Sequence, residues 1–161
     1  MRNSKFIYYW DACIFIAWLQ DEQRPSGEME GLAAVVNQIS RNEAAMLTSV
    51  LTRAEVLDSS LSESTRKIFE GIFKRSNIYQ VDVTGKISEV AHEIRDFYKK
   101  LGRSVKTPDA THLATAIIHS ADEFHTFDDK LLGLSGDVAG HPLKVVRPQG
   151  VQGSLLLGQF R

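Results

Sequence analysis

A chain of 161 residues, 43% hydrophobic and 24% charged, has room for one domain with its own core, and this balance excludes a disordered chain or a coiled coil. Lys+Arg 19 against Asp+Glu 20 leaves a formal net charge of -1, which excludes the strongly basic class of nucleic-acid binders; attraction for a polyanion would have to come from local patches or bound cations. The one cysteine, Cys13, cannot form an internal disulfide and fits a reducing cytoplasm as a small buried hydrophobe.

Behind the basic start Met1 to Lys5, the apolar stretch is interrupted at once by Asp11. No secretory signal is expected, and no span of roughly 20 apolar residues that would give the chain a membrane partner. Phe6 to Trp10 is aromatic and β-branched and reads as a buried strand. Ala12 to Gln20 is predicted helical, and Asp21 to Gly31 holds a loop with Pro25 and Gly27. A helix over Glu30 to Asn42 places Leu32, Val35, Val36 and Ile39 at helical spacing. Ala45 to Thr48 is a second strand. Val50 to Ser59 is a helix with Val50, Ala54 and Leu57 on one face, and a further helix from Ser62 buries Ile68, Ile72 and Phe73.

Ile78 to Val83 alternates as a strand does. The helix Lys86 to Leu101 carries an apolar stripe of Ile87, Val90, Ala91, Ile94, Phe97, Tyr98 and Leu101, and Gly102 closes it. Thr107 is the expected N-cap of the next helix, with Pro108 at its first position and an end near Ser120. Glu123 to Thr126 is a strand, Asp128 to Leu134 a short helix, and Leu143 to Val146 the last strand before Pro148. Strands alternating with helices imply parallel pairing through helical crossovers. The expected fold is therefore α/β, a three-layer α/β/α sandwich around a mostly parallel sheet. It occupies residues 1–147, and residues 148–161 form a tail of unassigned structure.

Ligand sites in such sheets lie beyond the carboxyl ends of the strands. Asp11 follows the first strand, Asp128 follows the strand ending at Thr126, Asp109 lies in the first turn of its helix, and Glu55 sits on the helix leaving the second strand. Singly, each has a plainer reading. Asp11 and Asp128 suit helix N-caps, Asp109 suits a helix dipole, and Glu55 suits an exposed helix face. As a converging set they need a counter-charge, because two carboxylates about 5 Å apart repel by ~3 kcal/mol at an effective dielectric of ~20. A divalent cation held only by oxygen, Mg²⁺ or Mn²⁺, is the expected cofactor.

Four segments resemble the motifs of PIN domains. They are Trp10-Asp11-Ala12-Cys13 after the first strand, Thr48 to Leu57 with Glu55 as its acid, Pro108-Asp109-Ala110-Thr111-His112-Leu113-Ala114-Thr115-Ala116, and Thr126-Phe127-Asp128. They occur in the family's order, and the nearest likeness is to bacterial VapC-type toxins of toxin–antitoxin pairs. The chain departs from the pattern at Ala12, where the family usually carries Ser or Thr. Asp129 offers a second carboxylate beside Asp128, but Asp128 keeps the Thr-x-Asp spacing.

The resemblance implies a cytoplasmic, metal-dependent endoribonuclease in which Asp11, Glu55, Asp109 and Asp128 hold one or two Mg²⁺ or Mn²⁺ ions. It implies RNA as substrate, an antitoxin as partner and a homodimer. Thr126 would orient Asp128, and His112 would touch substrate or Asp109. Arg53, Arg103, Lys106 and Lys130 would rim the site, although each singly suits solvated surface. The alternatives are an RNA-processing nuclease that is not a toxin, and a Mg²⁺-binding signalling module. The second lacks the early acidic pair of a receiver domain.

Overall fold

The computed structural model describes residues 5–134 and 136–149. Its elements are β1 (Phe6–Trp10), α1 (Ala12–Leu19), α2 (Glu28–Ser40), β2 (Ala44–Ser49), α3 (Val50–Leu57), α4 (Glu63–Ile72), β3 (Ile78–Val81), α5 (Gly85–Lys100), α6 (Thr107–Ile118), β4 (Glu123–His125), α7 (Asp129–Leu132) and β5 (Lys144–Val146). The five strands form one sheet in the order β3-β2-β1-β4-β5, with every pairing parallel. Nearly all of the expected tail, residues 150–161, falls outside the described residues.

Side chains of a strand alternate between the two faces of a sheet, and β1 divides its aromatics accordingly. Tyr9 packs with Leu47, Phe124 and the buried stripes of α5 and α6. Tyr8 and Trp10 pack on the other face with Phe15, Leu32, Val35 and Phe69, from α1, α2 and α4. Two apolar layers on one sheet make the α/β/α sandwich.

The chain winds outward from β1 to β2 and β3, then returns to β1's other edge to lay down β4 and β5. A crevice opens where a parallel sheet reverses its winding, so the β1–β4 seam is the topological site position. Trp10 pairs with His125 at the end of that seam, which places Asp11 and Thr126 at its mouth.

Helix faces differ from the expectation in three places. In α3 the buried residues are Thr52 and Val56, and Ala54 is exposed. Thr52 is admitted because its hydroxyl lies 2.7 Å from that of Thr48, which donates to the Trp10 carbonyl at 2.8 Å. In α4 the buried residue is Phe69, and Ile68 is 56% exposed. The choice follows the aromatic contacts of Phe69 with Phe15 and Phe73, at 5.6 and 5.2 Å. In α5, Phe97 and Leu101 are exposed, because α6 covers only the face carrying Ile87, Val90, Ala91, Ile94 and Tyr98.

Helix ends also shift. Asn42 takes a positive φ of 62° just beyond α2, a conformation asparagine tolerates. Gly102, with φ 74°, ends α5 as expected. The N-cap of α6 is Lys106 and not Thr107, since the first helical bond runs from the Ala110 N–H to the Lys106 carbonyl. Pro108 therefore takes the second helical position, where its missing N–H also costs nothing.

Candidate active site

Asp11 leaves β1 and caps α1, its Oδ1 accepting the Ile14 N–H at 3.3 Å. The same oxygen accepts the Cys13 thiol at 2.8 Å, and the Thr126 hydroxyl also bonds this carboxylate. Cys13 in turn accepts the Phe127 N–H at 3.4 Å. Asp11 is 7% exposed, and burial lifts its carboxyl above the ordinary value against the pull of those donors. Burial, then the neighbouring Asp11 charge, pushes the Cys13 thiol strongly up, so it remains a protonated donor. Cys13 is thus not merely the packing residue its apolar surroundings suggest. It sits at the second position of α1, where a capping carboxylate aims, and that spacing was the available signal.

Glu55 is held from the opposite side. His112 Nε2 lies 2.6 Å from Glu55 Oε1, and His112 Nδ1 lies 2.6 Å from the Tyr9 hydroxyl. Burial, then the Asp11 and Glu55 charges, raise the Tyr9 hydroxyl's pKa, so it keeps its proton and donates to Nδ1. The ring proton then sits on Nε2 and is donated to Glu55. His112 is 2% exposed, so this imidazole holds Glu55 and cannot reach a substrate. Tyr9 read only as a strand aromatic in the sequence.

Asp109, in the first turn of α6, is half-buried. Its carboxyl is lifted by burial first, then by the Asp128 charge and, more weakly, by Glu55; His112 and Lys106 oppose this. Asp128 caps α7, accepting the Lys130 N–H at 2.9 Å, and shares a cleft of about 370 Å³ with Asp109, Arg103, Lys106 and Lys130. Thr126 meets Asp128 through the backbone, accepting its N–H at 3.1 Å.

Of the expected acids the cleft is lined by Asp109 and Asp128; Asp11, Glu55, Thr126, His112, Asp129 and Arg53 are not in its lining. Asp129 is paired with Arg147 at 3.0 Å, and Arg53 with Glu70 at 2.6 Å.

Electrostatically Asp109 feels Asp128 and Glu55, and Asp11 is linked to Glu55 through Tyr9, which feels both. Among the described residues, no three His, Cys, Asp or Glu side chains stand in an arrangement that could hold a metal ion as placed. The donor set is nonetheless all oxygen, and its mutual repulsion leaves a charge deficit of the kind a hard divalent cation relieves.

Residues 8–136 match the family model of the PIN domain. The fold is similar to that of VapBC2 from Rickettsia felis bound to a DNA fragment from its promoter, with TM-score 0.65 and 16% identity over 87% of this chain and 98% of that one. It is similar to DNA-bound VapBC from Salmonella typhimurium, with TM-score 0.62 and 14% identity over 87% and 98%. It is also similar to Mycobacterium tuberculosis VapC20, a sarcin-ricin loop cleaving toxin, with TM-score 0.56 and 16% identity over 75% and 89%. No match was found among curated proteins. The family model spans the chain from β1 through α7, over a five-stranded parallel sheet, and by that match the chain belongs to the PIN-domain family.

Proposed function

We propose that this protein is an endoribonuclease that hydrolyses RNA phosphodiester bonds with Mg²⁺ or Mn²⁺, acting as the toxin of a toxin–antitoxin pair in the cytoplasm. The observation that carries the reading is the mutual electrostatics of Asp109, Asp128 and Glu55, acids from three chain segments, in a PIN-domain fold. Asp11, Glu55, Asp109 and Asp128 are the residues that would hold the cation. Bound there, it supplies neutralisation of the phosphate charge and Lewis-acid activation of the reacting oxygens.

The chain's own residues do the positioning. Tyr9 and His112 fix the Glu55 carboxylate, and Cys13 and Thr126 fix Asp11. Lys106 and Lys130, beside Asp109 and Asp128, draw a phosphate into the cleft. Water adds across one P–O bond, leaving a phosphate on one fragment and a hydroxyl on the other. The catalytic unit is assigned to residues 1–147, with Pro148 seated against Gly31 of α2.

An antitoxin partner is supported by the similar structures, which include VapBC complexes on DNA and FitAB bound to a DNA fragment. An RNA-processing nuclease without an antitoxin has the same site, and co-expression with a neighbouring small DNA-binding protein separates the two. Cleavage is tested on a labelled single-stranded RNA. Activity that EDTA abolishes and Mn²⁺ restores, and that Asp11→Asn removes, is the expected result. Cleavage indifferent to EDTA and to Asp11→Asn rejects the reading.

A further inference from the structure

The cations of this chain are not distributed evenly with respect to their partners. Arg24, Arg53, Arg66, Lys67, Lys86, Lys100, Lys144 and Arg147 all stand within 4.0 Å of a carboxylate. Among the described residues, Arg95, Lys99, Arg103, Lys106 and Lys130 have no carboxylate within 4.0 Å, although Lys99 and Lys106 feel Asp96 and Asp109 from further off, and all five line two adjoining clefts.

The first cleft is the one that holds Asp109 and Asp128; the second, about 550 Å³, runs along α5 past Arg95 and Lys99. Arg103, Ser104 and Val105 line both, so the two join across the α5–α6 turn. Arg95 braces that turn, donating from Nε to the Val105 carbonyl at 3.0 Å. Asp96, which also lines the second cleft, is occupied by Lys100 at 2.9 Å. Among the described residues, the other cations with no carboxylate within 4.0 Å, Lys5, Arg41, Lys74 and Arg75, sit where the chain enters β1, β2 and β3, at the opposite end of the sheet.

We infer that these joined clefts are a binding track for single-stranded RNA. Arg103, Lys106 and Lys130 would hold the phosphates nearest the acids, and Lys99 and Arg95 those further along the strand. The inference rests on the nuclease reading for its choice of RNA. The physical reasons are these. Unpaired cations in concave clefts lose no ion pair on meeting a phosphate, and each contact releases counterions. The track is a pair of concave clefts, whereas reading duplex DNA requires an element that enters a groove. With a net charge of -1 the molecule as a whole does not attract RNA, so a local track has to supply affinity and direction.

The test is fluorescence anisotropy of a labelled ten-nucleotide RNA, read over a salt series. The proteins are the full chain, the Lys99→Ala/Arg103→Ala pair and, as a control from the opposite end, Arg41→Ala/Lys74→Ala; thermal melts check that each folds. The track pair is expected to bind about tenfold or more weakly at low salt. Its slope of log affinity against log salt should fall by about 1.4, the value for two lost contacts to a single strand. The control should bind as the unaltered protein does. Equal losses in the two pairs, an unchanged track pair, or tighter binding of a duplex DNA of the same length would overturn the track. RNA that is bound through the track but never cut would sink the nuclease reading and leave the track standing. RNA that is cut with Lys99 and Arg103 indifferent would do the reverse.

Discussion

Burying a carboxylate at the end of a strand is costly unless donors meet it, and Asp11 is met by a thiol, a hydroxyl and a backbone N–H. Because Cys13 donates and does not merely fill space, serine should replace it better than alanine. Cys13→Ala removes a donor from a group whose pKa is already raised. A raised folded-state pKa stabilises the fold below the unfolded value and is lost as pH rises through the folded value. Cys13→Ala should therefore lose stability at pH 7 relative to pH 4, by on the order of 1 kcal/mol, while Cys13→Ser stays near the unaltered protein. Urea denaturation at both pH values reads this. Equal losses for Ala and Ser, or a loss independent of pH, would return Cys13 to a packing role.

His112 makes the complementary case. His112→Ala removes the ring that links the buried Tyr9 hydroxyl to Glu55, leaving Tyr9 with Thr115 and Thr48 and freeing Glu55, at an expected cost of about 2–4 kcal/mol. Tyr9→Phe should cost about 1 kcal/mol, and the double variant should cost less than the sum, because both changes break one chain of hydrogen bonds. Strict additivity in urea melts would contradict the chain.

At the scale of elements, strand and helix positions were legible from pattern, because β1 is a short apolar run buried on both faces of the sheet and the stripe of α2 serves one buried face. The inward faces of the shorter helices were less so. In α3 a hydroxyl pair lets Thr52 displace Ala54 from the interior. In α4 two adjacent large residues competed, and an aromatic cluster assembled from α1 and α4 decided for Phe69. Both outcomes depend on partners remote in sequence. The acids were legible for a different reason: Asp11 and Asp128 follow strands, Asp109 opens a helix and Glu55 lies on the helix leaving β2, positions expected to face the carboxyl end of the sheet. What supports them, Tyr9 and Cys13, looked like core, because their polar atoms act only once the fold is assembled.

The register of α4 is directly testable. Phe69→Ala should cost about 3–5 kcal/mol and Ile68→Ala well under 1 kcal/mol. Comparable costs in denaturant melts would mean that the helix is rotated. Two glycines separate contact from propensity. A Cβ on Gly31 of α2 would stand 2.1 Å from the Pro148 carbonyl oxygen, whereas one on Gly71 of α4 meets nothing within 4 Å. Gly31→Ala should destabilise by about 1–3 kcal/mol, and Gly71→Ala should gain up to about 0.5–1 kcal/mol. A neutral Gly31→Ala would mean that α2 does not seat against the end of β5.

Taken whole, Lys5, Arg41, Lys74 and Arg75 stand near where the chain enters β1, β2 and β3, while at the other end Asp109 and Asp128 share their cleft with Arg103, Lys106 and Lys130. Among the described residues no helix is long and apolar enough to cross a membrane. Gathering acids costs stability, which a purely structural arrangement would have no reason to retain. Asp109 carries part of that cost, its carboxyl being held above its ordinary value by burial and by Asp128. The melting temperature and the Mn²⁺-dependent RNA cleavage of Asp109→Asn, taken side by side at pH 7, give the decisive comparison. The variant should be more stable by on the order of 1 kcal/mol, lose the stabilisation that Mn²⁺ confers on the unaltered protein, and cleave at least 100-fold more slowly. A variant that melts lower, gains as much from Mn²⁺ and cuts RNA as fast would show that these acids are not held together for metal and catalysis.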